Sequence, residues 1–218
     1  MVKIKKLKRH LFSIFIFAIC SIAWIVILKG GVHSAAQEIT APAIEEDAAT
    51  NETPILGQSQ YTVEQAKAWS KGRGATDEFI NLADQYWKIG ALMGTRPDVM
   101  YAQAAKETAF GHFTGNITAD MNNFAGIKKV DATGDTRDDH ESFATPEAGI
   151  QAHYNHMAAY VGVQPLGQIH QRYYSVLSTS WAGTIKYVEQ LGGKWAPDET
   201  YGTSIVNDYL STMGDYLK

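Results

Sequence analysis

The apolar residues from position 76 to position 107 recur every three or four positions, which is the repeat of an α-helix. Thr76 can cap a first helix, and Gly94 ends it. Pro97 suits the first turn of a second helix that runs to Glu107. The core face of the first helix is formed by Phe79, Ile80, Leu82, Ala83, Tyr86, Trp87, Ile89 and Leu92.

Further helices are predicted on both sides of this pair. Thr62 and Gln65 have the spacing of a capping box, which opens a short helix ending at Gly72. Three later helices are predicted to begin at Thr145, Ser180 and Asp198. The polar segment 128–143, with Gly134 near its middle, is predicted to be a loop or a small hairpin. The pattern therefore predicts a mainly α domain with one small, irregular lobe between helices.

The first 28 residues have the pattern of an export or anchoring signal. Residues 1–10 are basic, and residues 11–28 form an uncharged apolar stretch of 18 residues. A helix of that length spans about 27 Å, close to the thickness of a bilayer core. We expect a transmembrane anchor with the basic end in the cytoplasm, or a cleaved signal segment. Both interpretations place the rest of the chain outside the cytoplasm, either anchored to the membrane or secreted to the cell wall.

Residues 29–60 are predicted to be a disordered extracellular linker. From position 35 to position 60 the sequence has no Lys, Arg or aromatic residue and is rich in Glu, Ala, Thr and Pro. Such a segment buries too little apolar surface to offset the entropy lost on ordering. The folded domain is therefore predicted to span residues 61–218, a size that fits one domain.

Charge and cysteine content exclude several classes of function. The net charge is −4, but six bases and no acids lie in residues 1–34, which leaves 13 bases and 23 acids in the remainder. A domain with a balance of −10 repels phosphate backbones, so nucleic acid is not expected as a partner. The single cysteine, Cys20, lies in the apolar stretch. We therefore expect no thiol nucleophile, disulfide framework or cysteine zinc site in the folded domain.

Glu107 is the residue that we expect to perform chemistry. It lies near the end of its helix, where the chain opens into a loop rich in Gly, Asn and Phe. Phe110 and Gly111 share its helix face and can give the carboxyl a partly dry environment. A carboxylic acid in such surroundings has a raised pKa and can deliver a proton near neutral pH.

Four blocks of sequence carry a family resemblance. They are AQAAKETAFG, NNFAGIK, SFATPEAGIQAHYNHMAAY and LGGKWAPDETYGTSI, in that order between residues 102 and 205. Together they resemble the bacterial peptidoglycan N-acetylglucosaminidases of glycoside hydrolase family 73. The resemblance implies a lysozyme-like helical fold with a small β-lobe. It also implies cleavage of peptidoglycan strands between N-acetylglucosamine and N-acetylmuramic acid.

The resemblance also implies roles for particular residues. Glu107 takes the position of the general acid. Asn123, Phe124 and Lys128 fall on the loop that borders the substrate cleft in such enzymes, and Tyr201 falls on the late tyrosine of the family pattern. Among the other aromatic residues we expect Tyr174 to line the cleft, and we assign the tryptophans to packing.

The sequence does not identify the second catalytic group. The small lobe is shorter here than in many members of the family. Its candidate carboxylates are Asp131, Asp135, Asp138, Asp139 and Glu141. A pair of carboxylates can give an inverting or a retaining reaction, whereas attack by the substrate's own 2-acetamido group needs no second acid.

No cofactor or metal is expected. His153 and His156 stand three positions apart on a helix, but no acid is arranged with them as in zinc peptidases. The rival functions are a muramidase or lytic transglycosylase of the same fold, a non-catalytic glycan-binding or scaffold module and, more remotely, a zinc amidase. The expected partners are peptidoglycan strands and, through the N-terminal helix, the membrane.

Overall fold

The structure is a computed structural model that describes residues 51–216. The predicted anchor at 11–28 and most of the predicted linker lie outside these residues. Within the described range the chain is mainly helical, as predicted for a lysozyme-like domain. Its α-helices are α1 (Val63–Gly72), α2 (Asp77–Met93), α3 (Pro97–Thr108), α4 (Pro146–Val161), α5 (Gln171–Leu177) and α6 (Tyr201–Ser204).

Shorter helical turns complete the fold. Helix α6 continues into a π-helical segment, Ile205–Leu210, and a 3₁₀ turn, Ser211–Asp215. Further 3₁₀ turns span Ala119–Met121, Arg137–Asp139 and Val188–Leu191. None of the helices in residues 51–216 is both long and apolar enough to cross a membrane.

The predicted caps explain where the first helices begin. Thr62 and Gln65 form the capping box of α1, with reciprocal hydrogen bonds of 3.2 and 2.9 Å. The Thr76 hydroxyl accepts a hydrogen bond from Phe79 N at 3.2 Å and so caps α2. Gly94 ends α2 in the left-handed conformation, with φ of 66°. These three predictions from sequence are confirmed.

Helix α3 forms the centre of the domain and is buried on nearly all of its faces. Ala102, Ala104 and Ala105 are each 0% exposed, and their small side chains let neighbouring helices approach closely. Tyr101 is also buried, and its hydroxyl lies 3.1 Å from both Phe79 O and Ser70 Oγ. Because α3 is fixed in this way, the residue at its C-terminal end is held in a defined position.

The segment 128–143 is a small, irregular lobe, as predicted. Lys128 and His140 form an isolated antiparallel bridge. Two backbone bonds flank it, from Lys129 N to Asp139 O at 2.8 Å and from Glu141 N to Ile127 O at 2.9 Å. The lobe therefore has a hairpin-like base and a polar tip.

The predicted helix from Ser180 to Gly193 is wrong. The structure has the short helix α5 before this range and irregular chain within most of it. Gly183 N donates to Ala159 O at 2.9 Å, and Ile185 N donates to Tyr160 O at 3.1 Å. The backbone of this segment therefore bonds to the end of α4, and these bonds replace those of a helix. The predicted last helix begins at Tyr201 rather than at Asp198.

The predicted boundary between linker and domain at residue 61 is also wrong. Ile55 is 0% exposed and belongs to the hydrophobic core. Its N–H donates to Lys186 O and its carbonyl accepts from Arg96 N, both at 2.9 Å. The packed region therefore begins before residue 61, because one apolar side chain and its backbone bonds fix a segment whose overall composition is polar.

A buried ion pair fixes this segment to the start of α3. The guanidinium of Arg96 binds both carboxylate oxygens of Asp98, at 3.1 and 2.7 Å, and the two side chains are 3% and 0% exposed. Asp98 Oδ2 also accepts from Gln60 N at 2.9 Å. Removal of one partner would leave a buried charge without compensation.

We predict that Asp98→Asn lowers the free energy of unfolding by about 3 kcal/mol, because it leaves Arg96 buried and only partly paired. Chemical denaturation of the full-length chain measures this change. Asp84→Asn is the control, since it removes an exposed ion pair with Lys67 and is expected to change stability little. Equal denaturation midpoints for wild type and Asp98→Asn would contradict the prediction.

Candidate active site

Glu107 lies in the last turn of α3, where the chain turns sharply away. The two residues after the helix, Ala109 and Phe110, both have left-handed backbone conformations, with φ of 48° and 57°. Phe110 is buried, so its packing holds this unusual geometry in place. The turn carries the following chain aside and opens a cleft next to the Glu107 carboxylate.

The cleft has a volume of about 480 Å³. The small lobe and the loop before it form one wall, and the chain that precedes α6 forms the other. The residues that line it are Glu107, Phe113, Gly115, Asn116, Ile117, Ala125, Gly126, Lys128, Asp135, His140, Trp195, Ala196 and Pro197. A space of this size between two walls can hold part of an extended polymer.

Gly126 forms the wall nearest to the acid. A Cβ atom at this position would lie 3.3 Å from Glu107 Oε2, and its φ of +63° favours glycine. The absence of a side chain therefore leaves the carboxylate open to the cleft.

The surroundings of Glu107 favour its protonated form. Desolvation by the protein raises its pKa, and this effect exceeds the opposing ones. The hydrogen bond from Tyr201, the charge of Lys106 and a hydrogen bond from Trp195 each favour the ionised form and offset part of the rise. The acid can therefore hold a proton at a higher pH than an exposed glutamate can.

A buried chain of hydrogen bonds ends at this carboxylate. The Tyr201 hydroxyl donates to Glu107 Oε1 and accepts from Gln103 Nε2 at 3.0 Å. Gln103 Oε1 pairs with His153 Nε2 at 3.1 Å, and His153 Nδ1 pairs with the Tyr86 hydroxyl at 3.0 Å. Tyr86, Gln103 and His153 are each 0% exposed. The chain reaches from the core to the cleft without an exposed link.

The hydrogen-bond directions along this chain are consistent. Burial lowers the pKa of His153 to about 3, so its ring is neutral and has one N–H. Because the amide oxygen of Gln103 can only accept, the His153 proton is assigned to Nε2. Every donor then points towards Glu107, an arrangement in which each hydrogen bond strengthens the next.

The structure corrects two predicted substrate-binding residues. Asn123 is 1% exposed, and its amide bonds the backbone of the loop itself: Nδ2 donates to Ile127 O and Glu141 O, and Oδ1 accepts from Ile127 N. Phe124 is 5% exposed and packs in the core. Both residues shape the loop from behind, so neither is available to contact a ligand in the cleft.

The other three predicted binding residues have different positions. Lys128 lines the cleft and forms an ion pair with Asp135 at 2.9 Å. Tyr201 is 5% exposed and contacts the acid rather than offering a face to a sugar. Tyr174 is 50% exposed on α5 and does not line the cleft.

Of the five candidate acids in the lobe, Asp135 lines the same cleft as Glu107. The hydrogen bond and charge of Lys128 lower the pKa of Asp135. Asp139 has a structural role, because its carboxylate accepts hydrogen bonds from the Thr136 N–H and hydroxyl and from Gly134 N. Those bonds lower its pKa to about 2.

The remaining candidate acids, Asp131, Asp138 and Glu141, do not line the cleft that contains Glu107. Asp131 and Asp138 are exposed on the lobe, and Glu141 is half-buried. Asp135 therefore differs from the other four candidate acids in lining the cleft, a difference that the sequence alone does not show.

Trp195 is a site residue that the sequence analysis assigned to packing. It lines the cleft, and its indole ring packs on His156 and Tyr160, with centroid distances of 4.8 and 5.1 Å. The adjacent LGGKWAP motif offered a signal, because two glycines and a proline around a tryptophan are typical of a loop rather than a core helix.

The two histidines on α4 lie in different environments: His153 belongs to the buried hydrogen-bond chain, and His156 packs against Trp195. Both ring nitrogens of His153 are used in the buried chain, so it has no free lone pair for a metal. Among residues 51–216, no cluster of three or more His, Cys, Asp and Glu side chains is placed to hold a metal ion.

Comparison with known proteins identifies a family whose sequence profile matches this chain. The sequence profile of the glucosaminidase family, described as mannosyl-glycoprotein endo-β-N-acetylglucosaminidase, matches residues 83–212. An uncharacterized protein of Borreliella burgdorferi is 30% identical over 138 residues. That match covers 62% of this chain and 64% of the relative, so the chain spans less than two thirds of the relative's length. No solved structure matches significantly.

We predict that Glu107→Gln raises the melting temperature at about pH 8 by more than it does at about pH 4. Because burial raises the pKa of Glu107, the folded state loses stability as pH rises from the ordinary pKa to the raised one. The whole penalty is present above the raised pKa, and a glutamine does not carry it.

Thermal melts at the two pH values provide the measurement. Glu199→Gln is the control, since that side chain is exposed and forms no hydrogen bond with the described residues. The same shift for Glu107→Gln at both pH values would argue against a raised pKa.

Proposed function

The chain belongs to the glucosaminidase family of glycoside hydrolases, and we propose that it cleaves peptidoglycan strands at the β-1,4 bond that follows N-acetylglucosamine. The observation that carries this proposal is the partly desolvated Glu107 carboxyl, held by Tyr201 at an open cleft. Hydrolysis of a glycosidic bond needs a proton donor at the leaving oxygen. Glu107 has the environment of such a donor.

In the proposed first step, protonated Glu107 gives its proton to the oxygen between the two sugars. The bond from that oxygen to C1 of N-acetylglucosamine then breaks, and the following sugar leaves with a free hydroxyl. The Tyr201 hydroxyl stabilises the negative charge that appears on Glu107 in this step. The buried chain behind Tyr201 holds that hydroxyl in the required direction.

We propose that the 2-acetamido group of the substrate supplies the nucleophile. Its carbonyl oxygen attacks C1 as the leaving oxygen departs, which gives a cyclic oxazolinium ion. Glu107, now ionised, takes a proton from water as the water oxygen attacks C1 and reopens the ring. Both steps balance with one carboxyl group and one water.

The position of Asp135 supports this route over a second carboxylate. Its carboxylate is exposed and is held in an ion pair with Lys128 at 2.9 Å. In our proposal Asp135 and Lys128 instead shape the lobe wall of the cleft.

The N-terminal sequence supports a proposal about location. We propose that the chain is exported and either held at the membrane by residues 11–28 or released to the cell wall, with the hydrolase domain outside the cytoplasm. Peptidoglycan lies in that compartment, so the location and the proposed substrate agree.

We predict that the full-length chain releases products with N-acetylglucosamine at the reducing end. Mass spectrometry after borohydride reduction will then detect N-acetylglucosaminitol ends. Reduced muramic acid ends would assign a muramidase instead, and anhydro ends would assign a lytic transglycosylase.

Glu107→Gln should lower turnover by about 10²- to 10⁴-fold, because the glutamine side chain has no carboxyl proton to transfer.

The same experiment tests the remaining rivals. A non-catalytic glycan-binding or scaffold module would produce no new reducing ends from wild-type protein. A zinc amidase would release stem peptides and lose its activity in a strong chelator, whereas the proposed mechanism uses no metal.

We predict that Asp135→Asn retains turnover within about tenfold of wild type, because acetamide attack needs no second carboxylate. The matched control is Asp138→Asn, which makes the same change at an exposed lobe position outside the cleft. Initial rates on purified peptidoglycan provide the measurement. If Asp135→Asn loses as much turnover as Glu107→Gln while Asp138→Asn does not, Asp135 is a catalytic carboxylate and acetamide attack is rejected.

A further inference from the structure

The cleft at Glu107 continues into a second cavity of about 580 Å³. The two cavities share a stretch of wall that includes Gly126, Lys128 and Trp195. We call the part beyond Trp195 the second arm; it is lined by His156, Tyr160, Arg172, Trp181 and Lys194. One continuous groove therefore passes the acid and extends along α4 and α5.

The second arm carries positive charge in an acidic domain. Arg172 and Lys194 line it, and no Asp or Glu does. Arg172 is half-buried and forms no hydrogen bond or ion pair with the described residues. Lys194 Nζ donates to Gln190 O at 3.1 Å and has no acidic partner in the described part of the chain. Two cations without counter-charges in a groove attract an anion.

A buried polar group in the same wall also has no partner. His156 is 6% exposed and lines the second arm, and its Nδ1 atom is buried without a hydrogen bond among the described residues. Buried polar atoms are rarely left unsatisfied in folded proteins. The ring is neutral, because desolvation lowers its pKa well below the usual value. The ring therefore adds no charge to this wall.

Aromatic rings line the arm beside these polar groups. Tyr160 lies between two indole rings, with centroid distances of 5.1 Å to Trp195 and 4.9 Å to Trp181. Aromatic faces pack on the apolar C–H faces of sugar rings. A ligand that suits both features is a sugar that bears a negatively charged substituent.

We propose that the second arm binds the carboxylate borne by the 3-O substituent of a muramic acid residue next to the cleaved bond, with Arg172 and Lys194 as its charged partners. This inference rests on the proposed function, because it places an anionic sugar of the same strand in the same groove. The carboxylate has two sources. In a strand stripped of peptides it belongs to the lactyl group itself, and in an intact strand it belongs to the stem peptide.

Binding to the full-length Glu107→Gln chain tests the proposal without interference from turnover. Calorimetry would compare three soluble oligosaccharides of equal length: peptidoglycan fragments with stem peptides, fragments stripped of them, and a chitooligosaccharide that has no carboxylate. In this background, the combined change Arg172→Gln and Lys194→Gln should weaken binding of a carboxylate-bearing fragment by about tenfold or more. Binding of the chitooligosaccharide should stay within about twofold.

The matched control is Lys186→Gln, which removes an exposed positive charge that lines neither cavity. A loss confined to stripped fragments identifies the lactyl carboxylate, and a loss confined to stem-bearing fragments identifies the peptide. If the double variant binds all three ligands as its parent does, the proposal is overturned.

Failure of this inference can be separated from failure of the proposed function. Wild-type chain that cuts peptidoglycan, together with a double variant of unchanged affinity, would reject the carboxylate site and leave the hydrolase assignment intact. Wild-type chain that cuts nothing, together with the expected loss of affinity, would reject the hydrolase assignment and keep the second arm as a carboxylate site.

Discussion

The hydrogen bond between Tyr201 and Glu107 joins two parts of the chain that are 94 residues apart. This bond can form because α3 is buried on nearly all sides, and that burial fixes the position of its last turn. The same burial desolvates the Glu107 carboxyl and raises its pKa. Packing of the central helix therefore determines the position of the acid and favours its protonated form. The groove, Gly126 in its wall and the buried hydrogen-bond chain all lie around that one side chain.

Local patterns in the sequence predicted much of the fold. Thr62 and Thr76 cap the helices that were expected, and α4 begins in the segment predicted for it. These features depend on residues within a few positions of each other, so a single sequence contains the necessary information. The family motifs located Glu107 and Tyr201, and the geometry brings these two residues into contact.

Features that depend on distant contacts could not be predicted in the same way. Ile55 lies in a polar segment, and its place in the fold comes from backbone bonds to Lys186 and Arg96. Asn123 belongs to a cleft loop, yet its amide bonds the loop's own backbone. Trp195 resembles a packing residue until the fold brings it beside the acid. In each case tertiary contacts, rather than residue type, decide the role.

The most direct test is a titration of the Glu107 carboxyl itself, by infrared difference spectroscopy of wild type against Glu107→Gln. A midpoint clearly above the ordinary glutamate value of about 4.3 is expected for wild type. In Tyr201→Phe the midpoint should move higher still, because the lost hydroxyl favours the ionised form. An ordinary midpoint that Tyr201→Phe leaves unchanged would show that Glu107 is solvated like any surface acid. That result would contradict the proposal that Glu107 is the proton donor.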